Sequence, residues 1–217
     1  MKAIFFDLDN TLYDVSKYNQ RAFESISIFL SKKIGMERNV ILSKLTENWK
    51  IKTSMYPNLF DEVLDQLNIK TNIPEIVKIF NSQIIKTDDI YDDALPILKK
   101  IKNKYKLGII TDGNIQRQQN KIKKFNMEHM VDTVVYTKNF APKPSPLPFE
   151  YGVNQLDIDP AKSYYVGDNP QIDFMGAKKI GMNTIRIFRG EFIDYPSDNY
   201  VDNNINNMMD VLKIINN

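Results

Sequence analysis

Five short apolar runs alternate with longer helical patterns along this chain, and this alternation constrains the fold more than any other feature. The runs lie at 3–6, 107–110, 133–136, 164–166 and 184–188. Because polar residues do not alternate within them, they are typical of parallel strands that are covered on both faces. The order of strands and helices therefore predicts an α/β protein with a doubly wound, mainly parallel sheet.

Helices are predicted between and after these runs, at 94–101, 115–125, 172–180 and 208–215. The first shows apolar residues at i, i+3, i+4 and i+7, and Asp93 is its expected cap. The lysines at 99–106 and 121–124 are expected to lie on solvated helix faces. The stretch at 202–207 is rich in asparagine and is expected to be a polar tail.

The stretch from 15 to 85 contains no convincing strand. Four amphipathic patterns occur in it, near 22–30, 41–49, 59–67 and 76–80. We therefore predict an all-helical domain of residues 15–85, inserted after the first strand of a core formed by 1–14 and 86–217.

Composition excludes several kinds of site and partner. The chain has no cysteine and one histidine, His129, so zinc–thiolate sites, disulfides and multi-histidine metal sites are excluded. A net charge of +2 gives no sign of binding to nucleic acid or to an anionic membrane. The run at 3–6 is too short for a signal peptide or a membrane helix, so we expect a cytoplasmic protein. We also expect it to be a monomer or a homodimer.

Chemistry-bearing residues follow three of the predicted strands. They are Asp7 and Asp9 after the first run, Thr111, Asp112 and Gly113 after the second, and Asp168 and Asp173 after the fourth. Lys143 lies between two prolines in the segment 141–144. Because the carboxyl ends of parallel strands meet at one edge of the sheet, we expect these residues to share one cleft.

Several carboxylates in one cleft repel each other unless a cation is present. Oxygen ligands without histidine or cysteine favour Mg²⁺. Together with Lys143, the Thr111 hydroxyl and backbone amides, such a cation would form a receptor for a phosphoryl group. A carboxylate of the cleft could then attack phosphorus and form an aspartyl phosphate.

These residues resemble the motifs of the haloacid dehalogenase-like hydrolase superfamily. Its nucleophile motif is similar to residues 7–11, its threonine motif to 109–113, its lysine motif to 143–144 and its acidic motif to 166–173. The resemblance implies a Rossmann-like core with a helical cap between the first two motifs, and it implies a phosphatase acting on a small phosphorylated metabolite.

The resemblance also implies catalytic roles. Asp7 would be the nucleophile, and Asp9 would protonate the leaving group and then activate water. Thr111 and Lys143 would be catalytic through binding of the phosphoryl oxygens. The residues expected to contribute to phosphate binding are Leu8, Asp9, Thr111, Asp112 and Lys143. Family members that release halide lack an acid at position 9, so Asp9 favours phosphate chemistry.

The metal site implied by the resemblance includes Asp7, the backbone carbonyl of Asp9, and Asp168, with Mg²⁺ as the cofactor. Asp173 would support the metal's waters or Lys143. A phosphomutase or another phosphotransferase shares these motifs and remains an alternative. A catalytically silent binding protein and a signalling receiver domain are weaker alternatives. Sugar phosphates, nucleotides and phospho-acids all remain open as substrates.

Overall fold

The computed structural model describes residues 1–216, and the chain divides into two compact units. The first unit comprises Met1–Asp14 together with the chain from Ile85 onward, and it holds every strand. The second unit, Val15–Ile84, is helical. Within the described residues, none of the helices is both long enough and apolar enough to cross a membrane.

The first unit contains a six-stranded sheet in the order β3-β2-β1-β4-β5-β6, with every neighbouring pair parallel. Its strands are β1 Ala3–Phe6, β2 Lys106–Thr111, β3 Thr133–Tyr136, β4 Ser163–Gly167, β5 Asn183–Ile187 and β6 Asn203–Ile205. The strand order reverses between β1 and β4, the point at which open α/β sheets bind their ligands. The predicted doubly wound, parallel sheet is confirmed.

All four residues of β1 are buried, as an uninterrupted apolar run requires. The helices of this unit are α5 Ala94–Ile101, α6 Ile115–Lys124, α7 Leu147–Gln155, α8 Phe174–Lys179 and α9 Val211–Ile215. On one side of the sheet, Phe5 and Ile110 pack with Phe149 of α7 and Phe174 of α8 in a common core. Helices α7 and α8 therefore fix the carboxyl ends of the central strands.

The helical unit contains α1 Val15–Ile34, α2 Arg38–Lys52, α3 Leu59–Gln66 and α4 Ile73–Asn81. It has its own core, formed by Phe23, Ile26, Leu30, Ile41, Leu45, Val63, Leu64, Ile69 and Ile76. These apolar residues recur at helical spacing, which is why the sequence pattern reveals each of these helices.

The chain segments on either side of the helical insert pair with each other inside the first unit. The amide of Asp14 donates to the carbonyl of Asp89 at 2.7 Å, and the amide of Tyr91 donates to the carbonyl of Leu12 at 3.0 Å. Tyr13 and Ile90 form an antiparallel bridge between these two bonds. The two segments therefore run side by side.

The structure differs from the sequence predictions in four places. Strand β6 lies within the expected polar tail, because a short edge strand needs little apolar sequence. Helix α7 was not predicted, since Pro146 and Pro148 interrupt its first turn. Helix α8 begins two residues later than expected. Asp93 precedes α5 but does not cap it, because its carboxylate accepts hydrogen bonds from Arg189 and from the Met208 amide.

Candidate active site

Asp7 and Asp168 extend from the two strands on either side of the point where the strand order reverses. Strands β1 and β4 pair with Phe6 opposite Val166, and the amide of Asp7 donates to the carbonyl of Val166 at 2.8 Å. Both aspartates are buried. Their carboxylates are thus held side by side by the register of the sheet.

Asp173 joins these two residues in what we call the acidic cluster: Asp7, Asp168 and Asp173. One carboxylate oxygen from each lies within 4.8 Å of the others. Asp173 Oδ2 accepts a hydrogen bond from the Asn169 amide at 2.9 Å. A Cβ atom on Gly167 would lie 2.5 Å from the same oxygen, so glycine is required there for this close approach.

Lys143 brings a buried ammonium group to the acidic cluster. Its Nζ lies 2.6 Å from Asp7 Oδ1 and 2.6 Å from Asp173 Oδ1, and 3.1 Å from the Tyr165 hydroxyl. The segment that carries Lys143 is tightly packed on α8, because a Cβ on Gly176 would lie 2.5 Å from the Pro144 carbonyl oxygen. This packing fixes the distance between the lysine backbone and the carboxylates.

Burial and mutual repulsion perturb these charges. Burial raises the pKa of Asp7 to about 8; Lys143 opposes the rise and the Asp173 carboxylate adds to it. Burial likewise raises the pKa of Asp168 well above its ordinary value, with Asp173 and Asp7 adding to the effect. Burial alone would lower the pKa of Lys143, but Asp173 and Asp7 outweigh it and raise that pKa.

A buried carboxylate oxygen of the acidic cluster lacks a hydrogen-bond partner among residues 1–216. Asp168 Oδ1 accepts from the Thr11 hydroxyl at 3.3 Å, and the Asp168 carbonyl accepts from Arg186 Nε at 3.2 Å. Asp168 Oδ2, however, is buried without any hydrogen-bond partner among the described residues. A buried carboxylate oxygen without a donor carries a large desolvation cost, which a cation would offset. The donor set, carboxylate oxygens only, fits Mg²⁺.

The residues at the end of β2 form a second group beside Lys143. The hydroxyl of Thr111 and the carbonyl of Asp112 both accept from Gln118 Nε2, at 2.8 and 2.7 Å. The carboxylate of Asp112 accepts from the Thr137 hydroxyl and from the Lys143 amide. Asp112 therefore connects the turn after β2 with the segment that carries Lys143 through a hydrogen bond.

Asp9 lies outside the acidic cluster. Its Oδ1 lies 2.5 Å from Lys121 Nζ, and its Oδ2 accepts from Gln118 Nε2 at 3.0 Å. Leu8 has a buried side chain, and its carbonyl accepts from the amides of Leu12 and Tyr13. The tight turn after β1 thus directs the Asp9 and Asp7 carboxylates to different partners.

The expectation that Lys121 is solvated was wrong, because its side chain is only 5% exposed. Lys123 and Lys124 on the same helix are exposed, as expected. Sequence reasoning missed both Lys121 and Gln118, although a signal was present. Gln118, Lys121 and Ile122 of α6 and Phe125 directly after it follow i, i+3, i+4, i+7 spacing, and all four are buried.

A family model for haloacid dehalogenase-like hydrolases matches residues 4–187. The glyceraldehyde 3-phosphate phosphatase of Methanocaldococcus jannaschii is 29% identical over 100% of this chain and 98% of its own length. That of Methanopyrus kandleri is 30% identical, over 89% of this chain and 87% of its own. A magnesium-bound hydrolase structure from Bacillus subtilis shares the fold at a TM-score of 0.80, with 14% identity over 100% of this chain and 99% of its own.

Proposed function

The chain belongs to the haloacid dehalogenase-like hydrolase family and is a phosphatase, and from this premise we propose that it is magnesium-dependent and forms a phosphorylated Asp7. The observation that carries the proposal is the acidic cluster with Lys143 in direct contact and one unpartnered oxygen on Asp168. Carboxylates arranged in this way suit a bound divalent cation and an anionic substrate together.

Asp7 and Asp168 would hold the Mg²⁺ ion, with the backbone carbonyl of Asp9 as a further oxygen ligand. When bound, the ion would neutralise charge on the phosphoryl oxygens. Asp173 has both carboxylate oxygens engaged, one by Lys143 and one by the Asn169 amide. We therefore assign Asp173 to holding Lys143 in place. The magnesium seen in the Bacillus subtilis neighbour supports the choice of ion.

The reaction would proceed in two displacements at phosphorus. In the first, a carboxylate oxygen of Asp7 attacks phosphorus, the bond to the leaving oxygen breaks, and that oxygen takes a proton from Asp9. In the second, a water oxygen attacks the same phosphorus and gives a proton to Asp9. The bond from phosphorus to Asp7 then breaks, which releases inorganic phosphate and restores both carboxylic groups to their starting states.

Neutral and cationic donors would hold the phosphoryl oxygens during both displacements. Lys143 contributes a buried ammonium at 2.6 Å from the nucleophile, and Thr111 contributes a buried hydroxyl. The Leu8, Asp9 and Asp112 positions lie in the two turns that would contribute backbone amides. Donors placed in advance around developing charge need little rearrangement during the reaction.

The proposed substrate is a small phosphorylated metabolite, and a triose phosphate is the first candidate. The two relatives that are 29% and 30% identical are both glyceraldehyde 3-phosphate phosphatases. A net charge of +2 favours a small-molecule substrate over a nucleic-acid chain.

Phosphate release from a metabolite panel with Mg²⁺ tests this proposal. The panel includes glyceraldehyde 3-phosphate, glycerol 3-phosphate, hexose phosphates, nucleoside monophosphates and phosphoglycolate. We expect glyceraldehyde 3-phosphate, the triose phosphate of the panel, to be turned over with the highest kcat/KM. Preference for a nucleotide would contradict the choice of a triose phosphate as the substrate. Absence of phosphate release together with isomerisation of a hexose phosphate would replace hydrolysis by phosphomutase activity.

Stability of the metal-free protein should fall as the pH rises. The pKa of Asp7 is about 8 in the folded protein, against an ordinary value of 3.8. At pH values between these two, the Asp7 carboxyl group is therefore protonated in the folded state and ionised in the unfolded state. The free energy of unfolding therefore decreases with pH across this window. Mg²⁺ competes with that proton and should stabilise the protein more at about pH 8 than at about pH 6.

Thermal unfolding at several pH values, with chelator and with excess Mg²⁺, measures this effect. The exposed Asp61 provides a control, since Asp61→Asn should leave the pH trend unchanged. A magnesium-induced rise in Tm that is equal at all pH values would contradict the proposed coupling between metal and proton.

A further inference from the structure

We propose that Gln118 and Lys121 are positioning residues that hold the Asp9 carboxylate in the orientation its proton transfers require. The proposal rests on the proposed function, because it deepens the role assigned to Asp9. Each Asp9 oxygen has its own donor: Lys121 Nζ lies 2.5 Å from Oδ1, and Gln118 Nε2 lies 3.0 Å from Oδ2. Two donors on separate oxygens fix both the position and the rotation of the carboxylate plane.

The two donors approach Asp9 from inside the protein. The side chain of Lys121 is 5% exposed, whereas that of Asp9 is 36% exposed. Gln118 is buried as well. The buried donors thus bind the carboxylate on its protein side, while the carboxylate remains partly exposed to solvent. A group that exchanges protons with a substrate and with water needs such exposure.

Folding alone does not account for a charge at position 121. The Lys121 ammonium lies 4.7 Å from the ring centroid of the fully buried Tyr13. Removing an ammonium from water is unfavourable, and well-packed apolar side chains often replace buried ion pairs without loss of stability. The ammonium has two contacts, a cation–π interaction with the Tyr13 ring and an ion pair with the Asp9 carboxylate, and the ion pair is the one that requires a charge at this position.

The orientation of the Gln118 amide supports the same conclusion. Its Nε2 lies within hydrogen-bond distance of three acceptors: Asp9 Oδ2, the Thr111 hydroxyl and the Asp112 carbonyl. Its Oε1 is buried without a partner among the described residues. Rotating the amide would place this oxygen against the carboxylate of Asp9. The amide thus leaves one acceptor unsatisfied while linking the turn after β1 to the turn after β2.

The proposal predicts how reaction rates depend on the leaving group. A proton donor matters most when the leaving oxygen is basic, as in an alkyl phosphate, and least for an activated ester such as p-nitrophenyl phosphate. We expect Lys121→Met and Gln118→Leu to lower kcat/KM for the alkyl phosphate by about 10- to 100-fold. For p-nitrophenyl phosphate we expect less than about a threefold loss of kcat/KM, because kcat/KM reports only the first displacement, whereas kcat also includes the attack of water, which is common to both esters.

Matched controls lie on the same helix. Lys124→Met and Gln119→Leu change exposed residues of α6 and should leave both rates unchanged. Asp9→Asn is the reference variant and should show the same dependence on the leaving group. The double variant Asp9→Asn/Lys121→Met should be no slower than Asp9→Asn, because Lys121 acts through Asp9. If Lys121→Met folds poorly, the two esters can be compared instead with Gln118→Leu and with Lys121→Arg, which retains the charge.

Two results would overturn the inference while leaving the proposed function intact. One is an equal loss of kcat/KM for both esters in the Lys121 and Gln118 variants. The other is a loss in the double variant that multiplies the two single losses, which would show that Lys121 acts independently of Asp9. By contrast, if Asp9→Asn slowed both esters equally in kcat/KM, Asp9 would not be the acid. If the wild-type protein released no phosphate, the proposed function itself would be contradicted.

Discussion

Asp7→Asn should abolish phosphate release, with kcat reduced by at least about 10⁴-fold. An amide lacks the anionic oxygen that would attack phosphorus in the proposed mechanism, so the proposed phosphorylated intermediate could not form. The measurement is phosphate release from the best substrate of the panel, together with a trap for phosphorylated protein after a rapid acid quench. Wild-type protein should retain label on Asp7, and the variant should not.

The loss of activity should not reflect a loss of structure. Because burial raises the pKa of Asp7 to about 8, the folded protein without metal already favours a neutral group at this position. Asparagine has the same shape and no charge, so Tm in chelator should be equal to or above that of the wild type. Retention of more than about a hundredth of wild-type activity would remove Asp7 as the nucleophile.

Lys143→Met should give the second largest effect, with a reduction in kcat/KM of about 10³-fold. The variant loses the only ammonium that contacts both Asp7 and Asp173 among the described residues. The phosphoryl oxygens would then lose a buried cation, and the two carboxylates would lose their shared counterion. Steady-state kinetics with Mg²⁺ in excess measures the first consequence, and Lys138→Met, at an exposed position, is the control.

The second consequence is a pH-dependent loss of stability. Removing one partner of a buried ion pair costs about 3 kcal/mol. Without Lys143, which lowers it, the pKa of Asp7 should rise further, so the folded state binds protons even more strongly. The destabilisation should therefore be larger at about pH 8 than at about pH 6, and Mg²⁺ should offset part of it. A loss of stability that is independent of both pH and Mg²⁺ would contradict the electrostatic account.

The sheet and the position of its acidic residues could be predicted because both depend on local sequence signals. A buried parallel strand needs an uninterrupted apolar run, and β1 shows one at Ala3–Phe6. The chain leaves each such strand at the same edge of the sheet, and because β1 and β4 are neighbours in the observed strand order, the carboxylates that follow them lie close together. The placement of Asp7 beside Asp168 follows from this geometry.

The partners of Asp9 could not be predicted in the same way. Lys121 is separated from Asp9 by 112 positions, and it lies in a lysine-rich stretch typical of a solvated helix face. Strand β6 was missed because two of its three residues are asparagines. In both cases the deciding contacts are tertiary: helical spacing with Ile122 and Phe125 places Lys121 on a buried face, but it does not reveal that Asp9 is the residue that Lys121 contacts.

The side-by-side pairing of Leu12–Asp14 with 89–91 has a consequence for how proteins of this kind diversify. The two segments that flank the helical insert are hydrogen-bonded to each other. The hydrogen bonds of the sheet lie entirely outside the insert. An exchange of the insert, or a change in its length, therefore leaves the register of β1 untouched. Over evolution the insert can thus be replaced as a unit while the acidic residues at the carboxyl edge of the sheet keep their positions.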